Sequence, residues 1–175
     1  MKKTLKGIFT MKTKTQKIVF SALLASLVCV ATMIIKIPSP LKGYINLGDC
    51  VVLLCGWTMS PLHAFLAAGV GSGLADLFAG YAVYVPVTFV IKGAMALIAY
   101  FGLRFLKNKL GNVASYIIGG LAAELVMILG YYVFEGFLYG FVPSVVNIPA
   151  NGVQGLVGLV LGVVLARIFD KNKIL

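Results

Sequence analysis

Apolar residues fill most of this chain and are interrupted only by short polar or breaker segments. Six apolar runs can be separated in this way, at about 18–37, 49–60, 62–79, 85–106, 113–137 and 147–169. Pro38-Ser39-Pro40 closes the first run and Pro61 separates the second from the third, as proline does at helix ends. Five runs have the roughly 17 to 25 residues that a helix needs to cross a bilayer. The second is too short to cross unaided, which predicts a tilted or partly buried helix.

The composition agrees with that pattern. Of the 175 residues, 61% are hydrophobic and 11% are charged, and the mean hydropathy is +1.02, far from a soluble domain. The sequence therefore predicts an all-α integral membrane protein, a six-transmembrane-helix bundle. We expect a basic cytoplasmic tail at residues 1–17, a single membrane domain at 18–169 and a second cytoplasmic tail at 170–175.

Basic residues are distributed unequally between the two predicted sides of the membrane. One side carries six N-terminal lysines together with Arg104, Lys107, Lys109, Arg167, Lys171 and Lys173, and the other carries Lys36 and Lys42. Positive residues concentrate on the cytoplasmic side of membrane proteins, so both termini are predicted to be cytoplasmic. The formal net charge of +10 is explained by this anchoring role, and nucleic acid is not an expected partner. The outward loops, 38–48, 80–86 and 138–146, gather glycine, proline, tyrosine and asparagine, which indicates capture of a solute from outside.

Three ionisable residues fall inside predicted helices, where a charge costs about 2.5 to 3.5 kcal/mol even on lenient scales. At about 1.5 Å per residue, Asp76 and Lys92 lie at a similar depth, about 6 and 10 Å from the outer helix ends. We expect them to form a structural ion pair. Glu124 lies deeper, at about 20 Å, with no basic residue at its level. It is a candidate for ligand contact, with an internal hydrogen-bonded role as the alternative.

Polar residues also recur at helical spacing on the last two predicted helices. Glu124, Tyr131 and Glu135 share one stripe, and Asn147, Asn151 and Gln154 share another. Any one amide could simply hold two membrane helices together. Three amides on one stripe favour the walls of a binding cavity.

Several kinds of chemistry are not indicated. No GxxxxGK[ST] phosphate loop is present, since no Gly-Lys pair occurs, so ATP would be hydrolysed by another subunit. A single histidine, His63, leaves no convincing catalytic set. The three cysteines lie in apolar runs without metal-ligand spacing. We therefore expect neither an enzyme nor a metal or other cofactor.

Several motifs together resemble a known transporter family. They are GYINLGD at 43–49, GLADLFAGY at 73–81, YVPVT at 84–88, IKG at 91–93, Glu124, GYY at 130–132, IPAN at 148–151 and Gln154. The chain resembles the substrate-binding S components of energy-coupling factor (ECF) transporters, in particular the riboflavin/hydroxymethylpyrimidine/pyridoxine-like subgroup. The resemblance covers nearly the whole chain beyond the lysine-rich start.

The resemblance implies a function and partners. Such subunits are six-helix proteins of the prokaryotic cell membrane that capture a vitamin and deliver it through a transmembrane scaffold subunit with two cytoplasmic ATPases. In the family, an Ala-xxx-Ala pattern on helix 1 contacts the scaffold. This chain offers Ala22-xxx-Ser26 and Ser21-xxx-Ala25, which keep a small surface but depart from the strict pattern.

Seven residues are expected to bind the substrate: Asn46, Tyr84, Glu124, Tyr131, Asn147, Asn151 and Gln154. They include no arginine, which is the natural receptor for phosphate and carboxylate. We therefore expect a neutral or weakly basic heteroaromatic, of hydroxymethylpyrimidine or pyridoxine type first and riboflavin next. The alternative is a stand-alone secondary carrier or channel that uses Asp76, Lys92 and Glu124 as an ion relay. A membrane-embedded enzyme is a third and less favoured reading.

Overall fold

The chain is mostly helical, in agreement with the predicted all-α class. The computed structural model describes residues 13–39, 41 and 43–171. The elements are α1 Lys14–Ile34, β1 Ile37–Pro38, β2 Tyr44–Ile45, α2 Gly48–Thr58, α3 Pro61–Phe78, α4 Val85–Tyr139, α5 Phe141–Ser144 and α6 Ile148–Lys171, with a 3-10 turn at Val145–Asn147 before α6. Strands β1 and β2 pair antiparallel, with Ile37 opposite Ile45.

Local sequence explains where the first and third helices begin. Thr13 and Gln16 form a capping box, in which Thr13 Oγ1 accepts from the Gln16 amide at 3.2 Å and Gln16 Oε1 accepts from the Thr13 amide at 3.3 Å. Helix α1 therefore starts at Lys14, four residues before the predicted start of the apolar run. Pro61 occupies the first turn of α3, where a missing amide hydrogen costs nothing.

Helix α4 is interrupted at Gly111, whose φ of 79° lies in the left-handed region that favours glycine. The interruption separates a first arm, 85–110, from a second arm, 112–139, and it falls in the predicted connection between helices four and five. A methyl group added at Gly102 would lie 2.7 Å from the Cα atom of Gly119, and one at Gly130 would lie 2.8 Å from Cδ1 of Ile91. Both pairs are symmetric about Gly111. The two arms therefore fold back on each other as an antiparallel hairpin.

Four helical stretches are long and apolar enough to cross a membrane: Lys14–Ile34, Pro61–Phe78, Val85–Tyr139 and Phe141–Lys171. The shorter helix α2 differs from them, because every residue from Gly48 to Trp57 is buried. It packs against α1, α3, α4 and α6. This position agrees with the predicted partly buried helix, because the surrounding helices cover the short segment on all sides.

The two ends of the bundle carry different elements. One end holds the β1–β2 hairpin, the start of α2, the end of α3 and the start of α6. The other holds the end of α2, the Gly111 turn and the end of α6, where Asp170 accepts hydrogen bonds from Asn112 and Tyr116. Polar side chains of the predicted binding stripes meet at the first of these ends.

Candidate functional site

A cavity opens at the end of the bundle that carries the β1–β2 hairpin. It has an empty volume of about 420 Å³ and draws its walls from the hairpin, the end of α3, the segment leading into α4, the second arm of α4 and the start of α6. The lining residues are Ser39, Gly43, Tyr44, Asn46, Asp76, Tyr81, Tyr84, Thr88, Tyr131, Glu135, Asn151 and Gln154. Aromatic rings, amides and carboxylates thus surround one space, without an arginine or a lysine among them.

Tyrosines form one wall of the cavity. The ring centroids of Tyr44 and Tyr81 are 5.2 Å apart, and those of Tyr81 and Tyr84 are 6.1 Å apart. The Tyr44 hydroxyl donates to Oδ1 of Asp76 at 2.7 Å. Burial and the neighbouring Asp76 raise the pKa of Tyr44 well above its ordinary value, so this hydroxyl stays protonated and remains a donor at neutral pH. The wall offers flat apolar faces with polar edges, which suits a heteroaromatic ring.

A chain of hydrogen bonds closes the floor of the cavity. Gln154 Oε1 accepts from the backbone amide and the side-chain amide of Asn46, at 3.0 and 3.2 Å. Gln154 Nε2 donates to Oδ2 of Asp49 at 2.7 Å, and Lys92 donates to the other oxygen of Asp49. Asp49 and Lys92 are 0% and 3% exposed, so this ion pair is fully inside the protein. The floor links β2, α2, α4 and α6 and holds their polar groups in fixed positions.

The acidic partner of Lys92 differs from the expected one. The predicted ion pair joined Lys92 to Asp76, whereas the structure pairs Lys92 with Asp49. The prediction compared only the depths of Asp76 on α3 and Lys92 on α4, which are similar. It could not reveal that α2 packs against α4 and that Asp49, at the start of α2, lies beside Lys92. Asp76 instead accepts the hydrogen bond from Tyr44 and lines the cavity.

Glu135 occupies the wall formed by the second arm of α4. Asn147 Nδ2 donates to both of its carboxylate oxygens, at 2.9 and 3.0 Å, and the Tyr84 hydroxyl approaches Oε1 at 3.4 Å. One turn earlier, the Tyr131 hydroxyl lies 3.1 Å from Oγ1 of Thr88. Asn147 therefore acts from behind the wall, by orienting a carboxylate that faces the cavity.

Glu124 lies outside the cavity lining and is 4% exposed. Neither of its carboxylate oxygens has a hydrogen-bond partner within residues 13–39, 41 and 43–171. A methyl group at Gly155, the residue after Gln154, would lie 2.9 Å from Oε2 of Glu124. Asp49 and Lys92 are close enough to act on it electrostatically. Glu124 is therefore a buried, unsatisfied carboxyl group directly behind the floor.

The structure brings most of the predicted binding residues together. Five of the seven line the cavity: Asn46, Tyr84, Tyr131, Asn151 and Gln154. Sequence reasoning did not select five others that the structure adds to the site: Tyr44, Asp49, Tyr81, Thr88 and Glu135. The signal for Tyr44 and Tyr81 was their position in the predicted outward loops, which are rich in tyrosine and glycine. Glu135 already stood on the polar stripe with Glu124 and Tyr131.

The small residues of α1 divide between two environments. Ala22 and Ser26 are exposed, and Ser21 is half-buried. Ala25 faces α3, because a methyl group at Gly71 would lie 2.3 Å from the Ala25 carbonyl oxygen. The serine hydroxyls donate to backbone carbonyls one turn earlier, Ser21 to Lys17 at 2.7 Å and Ser26 to Ala22 at 2.9 Å. Only Ala22 and Ser26 of the four thus belong to a fully exposed strip of small side chains.

Within residues 13–39, 41 and 43–171, no three His, Cys, Asp or Glu side chains converge.

Comparison with known proteins gives a consistent result. Residues 12–171 match the family model described as ECF-type riboflavin transporter, S component. An uncharacterised protein of Pyrococcus woesei is 34% identical over 146 residues, which are 83% of this chain and 95% of that protein. The thiamine precursor transporter HmpT of Lactococcus lactis subsp. cremoris is 26% identical over 139 residues, 79% of this chain and 77% of the relative.

A solved structure also shares the fold. It is described as the S component of a bacterial ECF transporter and superposes with a TM-score of 0.69 at 23% identity, covering 91% of this chain and 98% of the other.

Proposed function

Because this chain belongs to the family of ECF-type riboflavin transporter S components, we propose that it captures a vitamin-like heteroaromatic micronutrient in the cavity described above. In this proposal it delivers the captured molecule through a shared transmembrane scaffold and two cytoplasmic ATPase subunits. The observation that carries the proposal is the cavity itself, in which tyrosines in tilted and edge-to-face contact and unengaged polar groups face one space.

Two groups in that cavity are available to a ligand. The side chain of Asn151 and the hydroxyl of Tyr81 make no hydrogen bond to another residue in the described part of the chain, although both line the cavity. An amide offers both a donor and an acceptor, which matches the ring nitrogens and amino or hydroxyl groups of a pyrimidine or pyridine. Binding would satisfy these groups while Tyr44, Tyr81 and Tyr84 cover the ring faces.

Charge favours a neutral or weakly basic ligand over a phosphorylated one. Asp76 and Glu135 line the cavity, and the lining residues that the structure describes include neither arginine nor lysine. A phosphate would meet two carboxyl groups without a guanidinium to receive it. A single-ring ligand of hydroxymethylpyrimidine or pyridoxine type is placed ahead of riboflavin, because one ring is enough to meet the tyrosine faces and the Asn151 amide.

Glu124 is proposed as a deeper contact for the same ligand. Its carboxyl group is 4% exposed and has no hydrogen-bond partner among the described residues. Burying such a group costs free energy unless a bound ligand or another conformation supplies a partner. Its position behind Gln154 and Gly155 means that a small displacement of the floor would give a ring nitrogen access to it. The same reasoning makes Asn147 a supporting residue, acting through Glu135.

The proposed membrane arrangement has six helices, with the two arms of α4 counted separately and both termini cytoplasmic. At the end opposite the cavity, the described chain carries Lys14, Lys17, Arg104, Lys107, Lys109, Arg167 and Lys171, whereas the cavity end carries Lys36. This asymmetry supports an outward-facing cavity. The exposed Ala22 and Ser26 on α1 are the proposed contact for the scaffold subunit.

A stand-alone carrier remains the second candidate, because a buried carboxyl group beside an ion pair is also what a proton relay needs. Here Glu124, Asp49 and Lys92 would serve, with Asp76 at the entrance. That reading requires transport by this chain alone in proteoliposomes without ATP. The capture reading requires ligand binding by the purified chain and transport only after the scaffold and ATPase subunits are added.

Ligand identification by native mass spectrometry, followed by calorimetric titration with hydroxymethylpyrimidine, pyridoxine, riboflavin and their phosphate esters, tests the proposal. We expect one ligand bound per chain, weakened about tenfold or more by Asn151→Ala, with the phosphate ester binding less well than its parent. Asn108→Ala, at the opposite end of the bundle, is the matched control and leaves the affinity unchanged. Absence of binding across this panel, or equal effects of the two variants, would refute the proposed site.

A further inference from the structure

A second recess lies at the end of the bundle opposite the cavity. The recess, called here the basic groove, has an empty volume of about 1060 Å³ including its open side. It runs between the end of α2 and the last turns of the first arm of α4. Its lining residues carry both apolar and polar groups, and the argument rests on Trp57, Arg104 and Lys107 among them.

The groove is positively charged and has no internal counter-ion. Its lining set contains Arg104 and Lys107 but no carboxylate, and neither cation forms an ion pair with any residue that the structure describes. Tyr100 and Asn108 add a hydroxyl and an amide to the same lining. Two adjacent cations repel each other unless an anion lies between them, so the groove is electrostatically suited to an anionic group.

Trp57 supplies an aromatic wall to the groove. The indole nitrogen Nε1 of Trp57 is buried and has no hydrogen-bond partner among the described residues, although Trp57 is only 7% exposed and lines the groove. A Tyr116 ring 4.7 Å away fixes the orientation of the indole. Because the indole nitrogen has almost no exposed surface, Trp57 contributes packing to the groove and no hydrogen bond to an occupant.

Another recess at the same end of the bundle also contains two basic residues and can be compared with the basic groove. It is lined by Arg167 and Lys171 together with Asp170, and its empty volume, about 1000 Å³, is similar. Here the lining includes a carboxylate, Asp170, which accepts hydrogen bonds from Asn112 and Tyr116. The basic groove has no carboxylate in its described lining, whereas the second recess has one. The basic residues of the second recess therefore serve as an internal control.

We propose that the basic groove binds the phosphate headgroup of an anionic phospholipid of the inner leaflet. The inference rests on the proposed orientation of the chain, which puts the groove at the cytoplasmic surface, but not on the identity of the captured vitamin. Basic pockets between membrane helices on that side are suited to acidic lipid headgroups. In this site Arg104 and Lys107 neutralise the phosphate, and the Trp57 ring packs beside it.

Apolar surface beside the groove favours a lipid over free phosphate. Phe101 and Phe105 are exposed and stacked on each other, with ring centroids 5.9 Å apart. Each stands three residues before a groove residue, Arg104 or Asn108, and so lies on the adjacent strip of the same arm. Met59 and Leu103 add apolar lining inside the groove. A headgroup bound here would place its acyl chains along this strip, which a free anion would leave unused.

Native mass spectrometry of the full chain, with phosphatidylglycerol, cardiolipin or phosphatidylcholine added in mild detergent, tests the proposal. We expect the wild-type protein to retain phosphatidylglycerol or cardiolipin and to lose phosphatidylcholine. The double variant Arg104→Gln/Lys107→Gln should weaken retention of the anionic lipid by roughly tenfold or more, because each basic residue near an anionic headgroup contributes about 1 kcal/mol.

The control variant is Arg167→Gln/Lys171→Gln, which removes the same charge from the other recess and should leave retention within twofold. Arg104→Lys/Lys107→Arg, which keeps the charge, should retain the lipid and shows that the site tolerates substitution. Equal losses in the two charge-removing variants would overturn the proposal in favour of a diffuse charge effect. Displacement of the lipid by millimolar inorganic phosphate would also overturn it, in favour of a free-anion site. Vitamin binding is measured in parallel, so failure of either proposal is recognised separately.

Discussion

Lys92 in the first arm of α4 donates to Asp49 at the start of α2, and together they form a completely buried ion pair. The second oxygen of Asp49 accepts from Gln154, so the pair is joined to α6 as well. Both charged groups are thereby satisfied within the protein. The arrangement fixes the level at which α2 lies between the other helices, directly below the candidate binding cavity.

Lys92→Met should destabilise the protein by about 3 to 5 kcal/mol, because it leaves the Asp49 charge buried without its cation. Asp49→Asn in the same chain should recover much of that loss, since a neutral amide needs no counter-charge. Unfolding in detergent, followed by circular dichroism, measures both free energies. Lys109→Met, on the same arm but exposed, is the control and should change stability by less than about 1 kcal/mol. A double variant as unstable as Lys92→Met alone would contradict this account.

Glu124→Gln should lower affinity for the captured ligand by about two- to tenfold, because it replaces the carboxyl group proposed to contact a ring nitrogen, and a neutral hydrogen bond contributes about 0.5 to 1.5 kcal/mol. Stability of the empty protein should stay the same or rise, because no described residue bonds to the carboxylate that is removed. Calorimetric titration and thermal unfolding on the same preparations provide the two readings. Asp170→Asn, in the other end of the bundle, should leave affinity unchanged. A purely internal role for Glu124 would instead appear as lost stability with unaltered affinity.

Tyr44→Phe should change how stability depends on alkaline pH. The pKa of Tyr44 is raised in the folded protein by burial and by Asp76, above the value of about 10 in an unfolded chain. The folded state therefore holds the proton more tightly, and this stabilisation is complete below pH 10 and is lost as the pH rises towards the folded pKa. Unfolding free energies between pH 8 and 11 should fall more steeply above pH 10 for the wild type than for Tyr44→Phe. Parallel curves would show that Tyr44 does not contribute.

Gly102→Ala should destabilise the hairpin of α4, because the added methyl group would lie 2.7 Å from the Cα atom of Gly119 and backbone atoms cannot yield easily. Overpacking of this kind costs about 1 to 3 kcal/mol. Gly152→Ala is the matched control, since nothing lies within 4 Å of its added methyl group and alanine is about 0.5 to 1 kcal/mol better than glycine inside a helix. Thermal unfolding should move in opposite directions for the two variants. A stabilising Gly102→Ala would mean that the arms do not touch at this point.

The pattern of apolar runs was sufficient to predict the helices because a membrane helix must be apolar along most of its length. The third run, at 62–79, corresponds to α3 at Pro61–Phe78, and the connection expected after residue 106 contains the break at Gly111. The short second run was predicted to be partly buried, and α2 is buried along almost its whole length. Helical spacing also identified Tyr131, Asn151 and Gln154, which line one cavity.

Other features left no periodic signal in the sequence. Strands β1 and β2 have two residues each, too few to show the alternation that identifies a strand. The partner of Lys92 depended on which helix packs beside α4, and depth along a single helix contains no information about its neighbours. Tyr44 and Asp76 are 32 residues apart, so only the folded chain reveals their contact.

The close approach of Gly102 and Gly119 also limits how mutations can change the cavity. Thr88 on the first arm of α4 and Tyr131 on the second lie opposite each other because the two arms are aligned in this register. A sliding of one arm by a single turn, about 5.4 Å, would pair each cavity residue with a different neighbour. Gly102 and Gly119 lie outside the cavity lining and yet set which residues meet across it, so mutational libraries confined to the lining residues would leave this alignment unchanged.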